Sequence, residues 1–581
     1  MTDLHTSAGP DTGVTKPNLA GLTFHATAED RAAAPDWLAM AEAAADKWGS
    51  CRRPVPMWAV NQKTGERRPV GAACGNTLES VCPACAKRKR AIRVGQIHEG
   101  WHLDHEPVRE KDPVTAEQIA LVDARSRMFM DYQAAKEDDD RELMASIREI
   151  VEDLDKELRE TGARKMFPPL EQMPKKRRKR STRRRDDMPD LPRLKVTGRT
   201  IDEAVLGRYR MSMFVTLTLP SYGRIHQDGA VNKKGEVCGD GSPIDPDSYD
   251  YAQAARDIVH FTGLVNRWFQ ELRRVLGYKI QYFGVVEPQK RGAPHLHVLL
   301  RTRVSRSILR QVTAAIYKHI WWPHFGPEFE QYSEGRMPVW DYRAGTFVDP
   351  DTKVPLIGFE EAQDVMDTCD DREPAHTIRF GTRMPRQSMK GIMKDSPEAD
   401  AAIGYIAKYL TKSTAEILEP PNKRTAAHYS RLHAELQRTP CSENCPVWLR
   451  YGIVPNGASE KTIPGKCRGK AHKRDHLGVP GNKYMVSTLW TGKTQQDHAN
   501  ERREHVKQLL AGAGMEQRWD AEDVKVTPAK PGDPNVPTRA AMVMQLMTQK
   551  MQQRAQYQQA QMLSAAGPPG DENLKQLPVA A

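Results

Sequence analysis

Two predicted strands joined by a short turn constrain the fold more than any other part of the sequence. The strands cover Ile280–Glu287 and His295–Arg301, and the connecting segment Pro288–Pro294 contains glycine and two prolines. Strand side chains alternate between the two faces of a sheet, so His295 and His297 point to the same face. A hairpin at this point brings the Glu287 carboxylate beside both imidazoles.

Glu287, His295 and His297 are therefore a candidate metal site. Two imidazole nitrogens and one carboxylate oxygen leave coordination positions open for water and a phosphate oxygen. Such a mixed, open set suits Mn²⁺ or Mg²⁺ better than structural zinc, which prefers four protein ligands. The alternative is a histidine pair on a solvated sheet face and a solvated glutamate at a turn.

A late helical segment, Ala399–Thr414, carries a second candidate for chemistry. Tyr405 and Tyr409 are four residues apart, so a helix places both hydroxyls on one face, with Lys408 on an adjacent face. A phenol can attack a phosphate once a metal withdraws charge from the phosphate and a cation lowers the pKa of the phenol. The alternative is a pair of tyrosines packed in the core.

The nine cysteines fall into two clusters plus Cys238 and Cys369, and in a reducing compartment such clusters indicate metal sites. The predicted zinc ligands are Cys51, Cys74, Cys82 and Cys85 in the first set, and Cys441, Cys445, Cys467 and His472 in the second. His476 is a substitute for His472. Each set fills four zinc positions, which indicates a structural role. Buried cysteines without a metal are the alternative for the first set.

The charge distribution favours a polyanionic partner. The formal net charge is +12, and one run of basic residues is long enough to bind DNA phosphates, although a solvated linker is an equal interpretation. The predicted DNA-binding residues are Lys175, Lys176, Arg177, Arg178, Lys179, Arg180, Arg183, Arg184 and Arg185. A secretory signal and a long apolar segment are absent from the sequence, which predicts a cytoplasmic protein without a membrane partner. The sequence leaves the oligomeric state open.

Three elements in a fixed order resemble the HUH endonuclease superfamily: the strand Phe214–Pro220, the segment Pro294–Val298 with both histidines, and the helix with Tyr405 and Tyr409. A metal motif that precedes the tyrosine is the order of replication initiators, whereas conjugative relaxases usually place the tyrosine first. The tyrosine pair looks like that of initiators from small single-stranded DNA phages. Tyr409 also fits the single-tyrosine pattern, in which a glutamate often stands where this chain has Tyr405.

Further segments look like the replication initiators of actinobacterial plasmids and integrative conjugative elements. They lie between residues 50 and 505 and are Ala73–Cys85, Trp448–Gly452, Gly465–Lys473 and Leu489–Thr494. The resemblance implies an α+β fold: an HUH domain with a central antiparallel sheet flanked by helices, joined to zinc-binding modules and to helical or disordered extensions.

The predicted organisation has seven segments. They are a disordered N-terminus (1–45), a zinc module (46–110), a charged helical segment (111–165), a basic linker (166–195), the HUH domain (196–420, with 323–395 as a possible insertion), a second zinc module (421–505), and a mostly disordered Gln- and Met-rich tail (506–581).

The resemblance also implies a function. It is metal-dependent nicking and joining of single-stranded DNA at a duplex origin through a 5′-phosphotyrosine, which starts rolling-circle replication. The released 3′-OH primes a host polymerase, and a host helicase unwinds the DNA because the sequence has no phosphate-binding loop of the Gly-x-x-x-x-Gly-Lys type. A two-tyrosine rolling-circle transposase and a non-catalytic zinc-stabilised DNA-binding regulator are the alternatives.

Overall fold

The structure is a computed structural model, and it describes most but not all of the chain. The described residues are 37–101, 103, 107, 114–162, 169–171, 189–197, 211–227, 239–369, 373–382, 384, 389–393, 395–479, 484–514, 524–530 and 532–565. The predicted DNA-binding run from Lys175 to Arg185 and the N-terminal residues 1–36 lie outside these ranges.

The described residues form a mixed α and β structure. The strands are β1 (Val55–Asn61), β2 (Arg67–Ala72), β3 (Met211–Thr218), β4 (Tyr282–Pro288), β5 (Pro294–Leu300), β6 (Tyr317–Ile320), β7 (Val339–Asp341), β8 (Thr346–Val348), β9 (Ile357–Gly358), β10 (His376–Arg379), β11 (Met389–Met393), β12 (Ile453–Val454), β13 (Tyr484–Val486) and β14 (Val524–Pro528).

The helices alternate with these strands along the chain. They are α1 (Trp37–Trp48), α2 (Pro83–Trp101), α3 (Ala116–Glu137), α4 (Arg141–Glu160), α5 (Tyr251–Leu276), α6 (Arg306–Ala315), α7 (Phe359–Asp367), α8 (Pro397–Lys408), α9 (Thr414–Ile417), α10 (Lys423–Arg438), α11 (Gln495–Gly512) and α12 (Arg539–Ala565).

A five-stranded antiparallel sheet with the order β11-β3-β5-β4-β13 lies at the centre. The predicted hairpin is formed by β4 and β5, in which Glu287 pairs with His295 and Val285 pairs with His297. On the other side of β5, Thr216 of β3 pairs with His297. Both histidines are therefore in the middle of the sheet, between two hydrogen-bonded neighbours.

The two faces of this sheet are covered by different helices. On one face, Leu296, Val298 and Leu300 of β5 belong to the same apolar core as α5. On the other face, Leu299 and Phe283 pack in a second core with residues of α2 and α8. His295 and His297 alternate with the residues of the first core, so they face the side of α2 and α8.

Helix α5 is the main support of the sheet, and local sequence signals set its ends. Asp250 accepts a hydrogen bond from the backbone amide of Gln253 at the start, and Gly277 ends the helix with a left-handed conformation (φ 75°) that favours glycine. The apolar stripe of this helix, which includes Ile258, Phe261 and Phe269, is fully buried.

The chain divides into two compact units. The larger comprises Met1–Pro107, Arg184–Ala362 and Glu373–Ala581, and the smaller comprises Val108–Arg183 and Gln363–Arg372. Within the smaller unit, α3 and α4 are capped by Thr115 and Asp140 and share an apolar core around Tyr132 and Ile147. The charged segment therefore contains two helices.

The region 323–395 departs from the predicted insertion. Its last strand, β11, is an edge strand of the central sheet and pairs with β3, with Met389 opposite Val215. Its strand β10 pairs with β6, which lies before this region in the sequence. Both pairings join residues far apart in the sequence, and local periodicity carries no signal for such partners.

The C-terminal tail also departs from the prediction of a mostly disordered segment. Strand β14 extends the β1–β2 sheet, with Thr527 opposite Trp58, and α12 packs against α1. The contact uses Ala540 and Val543, whose side chains are buried although glutamines and methionines dominate the composition of the helix. A composition-based argument overlooks this narrow apolar stripe because most residues of the helix are polar.

The second predicted zinc module, 421–505, is not an independent folding unit. Leu432 and Leu436 of α10 belong to the main core on α5, and β13 is an edge strand of the central sheet. Among the described residues, no helix combines the length and apolar character needed to cross a bilayer.

Candidate metal and tyrosine site

The three predicted metal ligands lie together on the central sheet. The Nε2 atoms of His295 and His297 are 2.6 Å apart. Oε1 of Glu287 lies 3.1 Å from Nε2 of His295 and 3.6 Å from Nε2 of His297. The structure therefore brings together the carboxylate and both imidazoles that the sequence predicts.

The donor atoms of this group fit a divalent cation. All three side chains are buried, and Oε2 of Glu287 and Nδ1 of His295 lack hydrogen-bond partners, although buried polar atoms are normally paired. Burial lowers the pKa of His295, which keeps its imidazole neutral. Burial opposes ionisation of Glu287, but hydrogen bonds from His295 and His297 outweigh it and lower the pKa of the carboxyl group to about 2. A neutral imidazole and an ionised carboxylate are the forms that bind metals.

Strand β3 supplies two supporting contacts that the sequence analysis missed. Thr216 Oγ1 lies 2.9 Å from Nδ1 of His297, which fixes the orientation of the ring and leaves Nε2 facing Glu287. Phe214 stacks on the same ring at 5.6 Å between centroids. The sequence shows that Phe214 and Thr216 alternate along β3, but it does not show the strand register that places both side chains beside His297.

The two tyrosines adjoin this group. The hydroxyl of Tyr405 lies 3.2 Å from Nε2 of His297. Helix α8 ends at Lys408, so Tyr409 is the residue directly after the helix rather than within it, but its backbone remains near helical values (φ −91°, ψ −7°). The ring centroids of Tyr405 and Tyr409 are 5.5 Å apart in an edge-to-face arrangement.

The electrostatic environment of the phenols differs from the expected one. Burial and the nearby Glu287 carboxylate raise the pKa of both Tyr405 and Tyr409 above the usual value. The Lys408 ammonium lies 5.7 Å from the centre of the Tyr409 ring, over its face rather than at its hydroxyl. Lys408 alone therefore does not produce the lowered phenol pKa that the sequence argument expected.

Helix α2 holds the end of the tyrosine helix in place. Nε of Arg90 donates a hydrogen bond of 3.1 Å to the carbonyl oxygen of Ala407, in the last turn of α8. The backbone amide of Glu79 donates to the carbonyl oxygen of Thr411 at 3.0 Å. The first contact adds a side-chain donor to a carbonyl group in the last turn of the helix, and the second fixes the segment that follows the helix. They connect the tyrosine segment to the chain around Cys82 and Cys85.

The first cysteine set converges as predicted. The Sγ atoms of Cys51, Cys74, Cys82 and Cys85 all lie within 4.8 Å of one another, and Cys51 and Cys82 are 3.9 Å apart. The cysteines are reduced in the structure. Cys51, the ligand furthest away in sequence, reaches the others because the segment after α1 returns to the start of α2.

The second set also converges and selects His472 rather than His476. Cys441 and Cys467 are 3.9 Å apart at sulfur, and Nε2 of His472 lies 3.4 Å from Sγ of Cys445. Nδ1 of His472 donates to the carbonyl oxygen of Leu436 at 2.8 Å, which directs Nε2 to the sulfur atoms. Four converging donors are the arrangement of a closed tetrahedral site.

A fourth group of potential ligands, Glu99, His498 and Glu501, lies around the positively charged side chain of a lysine. The Lys493 ammonium lies 2.8 Å from a carboxylate oxygen of each glutamate. The group is therefore an ion-pair network that joins the end of α2 to α11.

The sequence matches a protein family over most of its length. The RepSA family model, described as "Replication initiator protein, pSAM2", matches residues 37–560. The chain belongs to the RepSA family. The match includes both cysteine sets, the Glu287–His297 hairpin and the tyrosine helix, so all the groups described above lie within the region shared with RepSA proteins.

One curated relative supports the same relationship. The chain is similar to a "Replication initiator protein" of Streptomyces ambofaciens, with 26% identity over 222 residues. This match covers 35% of the present chain and 42% of the relative, so it spans less than half of either protein. No solved structure matches the chain significantly.

Proposed function

We propose that this RepSA family member is an HUH-type endonuclease that nicks one strand of a replication origin and starts rolling-circle replication. The observation that carries the proposal is the 3.2 Å contact between the Tyr405 hydroxyl and Nε2 of His297, within a group that also contains His295 and Glu287. A nucleophile beside converging metal ligands is the arrangement required for attack on a phosphodiester.

Glu287, His295 and His297 would hold the divalent cation, for which we propose Mn²⁺ or Mg²⁺. Bound there, it would supply Lewis-acid polarisation of a non-bridging phosphate oxygen. Thr216 and Phe214 keep the His297 ring in position, and the packing of α8 on the sheet holds the phenols in front of it. A second tyrosine beside the first provides a nucleophile for a second cleavage.

The proposed step exchanges one ester bond for another. The tyrosine oxygen forms a bond to phosphorus, the bond between phosphorus and the 3′-oxygen breaks, and the phenolic proton is lost while the 3′-oxygen gains one. The products are a 5′-phosphotyrosine and a free 3′-OH. After a round of synthesis, the second tyrosine attacks the phosphate of the regenerated nick site and releases a new 3′-OH at the end of the displaced strand. This new 3′-OH attacks the first 5′-phosphotyrosine, the bond between phosphorus and the tyrosine oxygen breaks, the tyrosine regains its proton, and the displaced strand is closed.

The family match favours replication initiation over rolling-circle transposition, because the RepSA description names a replication initiator. The convergence of Glu287, His295, His297 and Tyr405 favours an enzyme over a non-catalytic regulator. We further propose that Zn²⁺ fills both four-ligand sets, that basic segments bind the origin duplex, and that a host helicase and polymerase extend the free 3′-OH.

Formation of a covalent adduct tests this function. The purified chain, incubated with Mn²⁺ and single-stranded oligonucleotides from its own replicon, should give a protein–DNA adduct on a denaturing gel. His297→Ala should lower the adduct rate at least about 100-fold, because loss of the cation removes several kcal/mol of transition-state stabilisation. His505→Ala, at an exposed site on α11, is the matched control and should retain the wild-type rate. A wild-type chain that forms no adduct on any origin fragment would contradict the proposal.

The contact from Arg90 gives a second prediction. Arg90→Ala should slow adduct formation about 10-fold and leave the affinity for single-stranded DNA unchanged. The substitution removes the hydrogen bond to Ala407 that fixes the last turn of α8, and small displacements of a nucleophile are costly. Single-turnover rates and fluorescence anisotropy separate the two effects. Arg88→Ala, an exposed neighbour on the same helix, is the control. Equal losses in both variants would point to DNA contacts by α2 instead.

A further inference from the structure

Three aromatic side chains form a ladder along strand β6 and the residue that follows it. Tyr317 and His319 occupy alternate positions of the strand and therefore share one side, and Trp321, one residue beyond the strand, continues the same alternation. The ring centroids of Tyr317 and His319 are 4.6 Å apart, and those of His319 and Trp321 are 5.3 Å apart. All three side chains are half-buried, although no step of the proposed nicking reaction uses them.

The opposite side of β6, and of its partner strand β10, belongs to the core. Ile320 and Ile378 are buried, and His376 of β10 lies 2.7 Å from the Asp257 carboxylate of α5. Since strand side chains alternate, the ladder faces away from α5. The two strands thus have one side that supports the fold and one side with aromatic rings.

Strand β10 adds polar groups to the side with the ladder. Thr377 pairs with His319, and its Oγ1 lies 2.8 Å from Nδ1 of the imidazole. Arg379 pairs with Tyr317. The Arg379 side chain is exposed. We call the surface formed by Tyr317, His319, Trp321, Thr377 and Arg379 the ladder face.

One end of the ladder face is joined through the backbone to strand β3, which flanks the metal group. The backbone amide of Gly381, two residues after Arg379, donates a hydrogen bond of 2.8 Å to the carbonyl oxygen of Thr218. Thr218 pairs with His295 across β3 and β5. Two residues of strand span about 7 Å, so Arg379 and Tyr317 are the members of the ladder face nearest to Thr218, and Trp321 is the most distant.

We propose that the ladder face binds the bases of single-stranded DNA next to the scissile phosphate, with the rings of Tyr317 and Trp321 stacking on bases and Arg379 contacting a phosphate. The inference rests on the proposed nicking function. Aromatic rings bind bases through stacking without regard to sequence, and an adjacent arginine neutralises the backbone.

The geometry favours a single strand over a duplex. The successive ring centroids of the ladder are 4.6 and 5.3 Å apart, which exceeds the rise of about 3.4 Å between stacked bases in duplex DNA. Bases that follow the ladder are therefore separated from each other, and base pairing does not allow this separation. The DNA strand would pass the end of β3 at Arg379 and continue towards Trp321.

Binding measured without cleavage tests the ladder face. In a chain that carries Tyr405→Phe and Tyr409→Phe, anisotropy would report the affinity for an origin oligonucleotide and for versions shortened on either side of the nick. Tyr317→Ala and Trp321→Ala should each weaken binding of the full oligonucleotide about 10-fold. Shortening the DNA on one side of the nick should weaken its binding to the Tyr405→Phe/Tyr409→Phe chain. The same shortening should have little further effect when this chain also carries both Tyr317→Ala and Trp321→Ala. Tyr342→Ala is the matched control, since Tyr342 is 79% exposed on the β7–β8 turn.

Salt dependence separates stacking from charge contacts. Arg379→Ala should reduce the slope of log affinity against log salt by about one, whereas the ring variants should keep the wild-type slope. Trp321→Phe should retain most of the affinity because it keeps an aromatic face, and it provides a folded comparison if the alanine variant is unstable.

Two results would overturn the inference. One is wild-type affinity of the Tyr317 and Trp321 variants for the full oligonucleotide. The other is an unchanged sensitivity to shortening, which would show that the DNA leaves the pocket by another path or that the ladder face binds a protein segment. Neither result contradicts the nicking function, because that function is tested by adduct formation with the wild-type chain. Absence of the adduct would contradict the nicking function, whatever affinities the binding experiments give.

Discussion

Replacing Tyr405 and Tyr409 together with phenylalanine should abolish the covalent DNA adduct, a loss of more than about 1,000-fold. The substitution removes both oxygens that can attack phosphorus at this site, and leaves the rings that pack on Phe214 and on each other. The measurement is the adduct rate with Mn²⁺ and an excess of protein over origin oligonucleotide. Binding of the same oligonucleotide should change by less than a factor of about three, since the chemistry and not the docking is removed.

The single substitutions should not be equivalent. Tyr405 is the residue whose hydroxyl contacts His297, so Tyr405→Phe should affect the first cleavage most. Tyr409 follows the helix and adjoins the site through the ring of Tyr405, so Tyr409→Phe should retain the first cleavage and lose the second, which leads to closure of the strand. The sequence left open which tyrosine attacks first, although Tyr409 fits both the two-tyrosine and the single-tyrosine pattern, whereas the contact with His297 favours Tyr405.

A matched control separates loss of the nucleophile from general damage. Tyr484→Phe alters a tyrosine of β13 that is 41% exposed, the same value as Tyr405, and should leave both cleavage steps unchanged. If the double variant still forms an adduct, another residue is the nucleophile. If the order of the single variants is reversed, Tyr409 attacks first and α8 must move when DNA binds.

Substitution of Cys445 with serine should cause the largest loss of stability, about 4 kcal/mol or more of unfolding free energy. Cys445 is fully buried and packs with Trp448 and Phe359 in a core of its own. Zinc held by a closed site contributes its binding free energy to folding, and loss of one ligand removes most of that contribution. The proposed zinc content should fall from two ions per chain to one.

Metal analysis and chemical denaturation check this expectation together. Cys369→Ser is the control, because Cys369 is an exposed cysteine outside both sets, and it should keep both ions and the wild-type stability. Cys82→Ser should also lose one ion, and through Arg90 and Glu79 it should disturb the tyrosine helix as well. A Cys445→Ser chain with two ions and unchanged stability would contradict a zinc site at this position.

Local sequence patterns determined the features of the site that lie within single elements. Alternation on β5 put His295 and His297 on one face, and the short turn after β4 brought Glu287 beside them. Spacing within the cysteine segments likewise predicted both four-ligand sets, since few other cysteines lie near them in the sequence. Such features depend on strand period, turn length and ligand chemistry, which are properties of a few consecutive residues.

The tertiary structure decided how these pieces are connected. The sequence did not reveal that β11 completes the central sheet, that the tail pairs with β1 and α1, or that Arg90 next to the first cysteine set holds the end of α8. It also did not reveal that α8 ends before Tyr409, so that Tyr405 contacts His297. Each of these depends on partners far apart in the chain, and the free energy that selects them comes from the packing of the whole core rather than from the propensities of local segments.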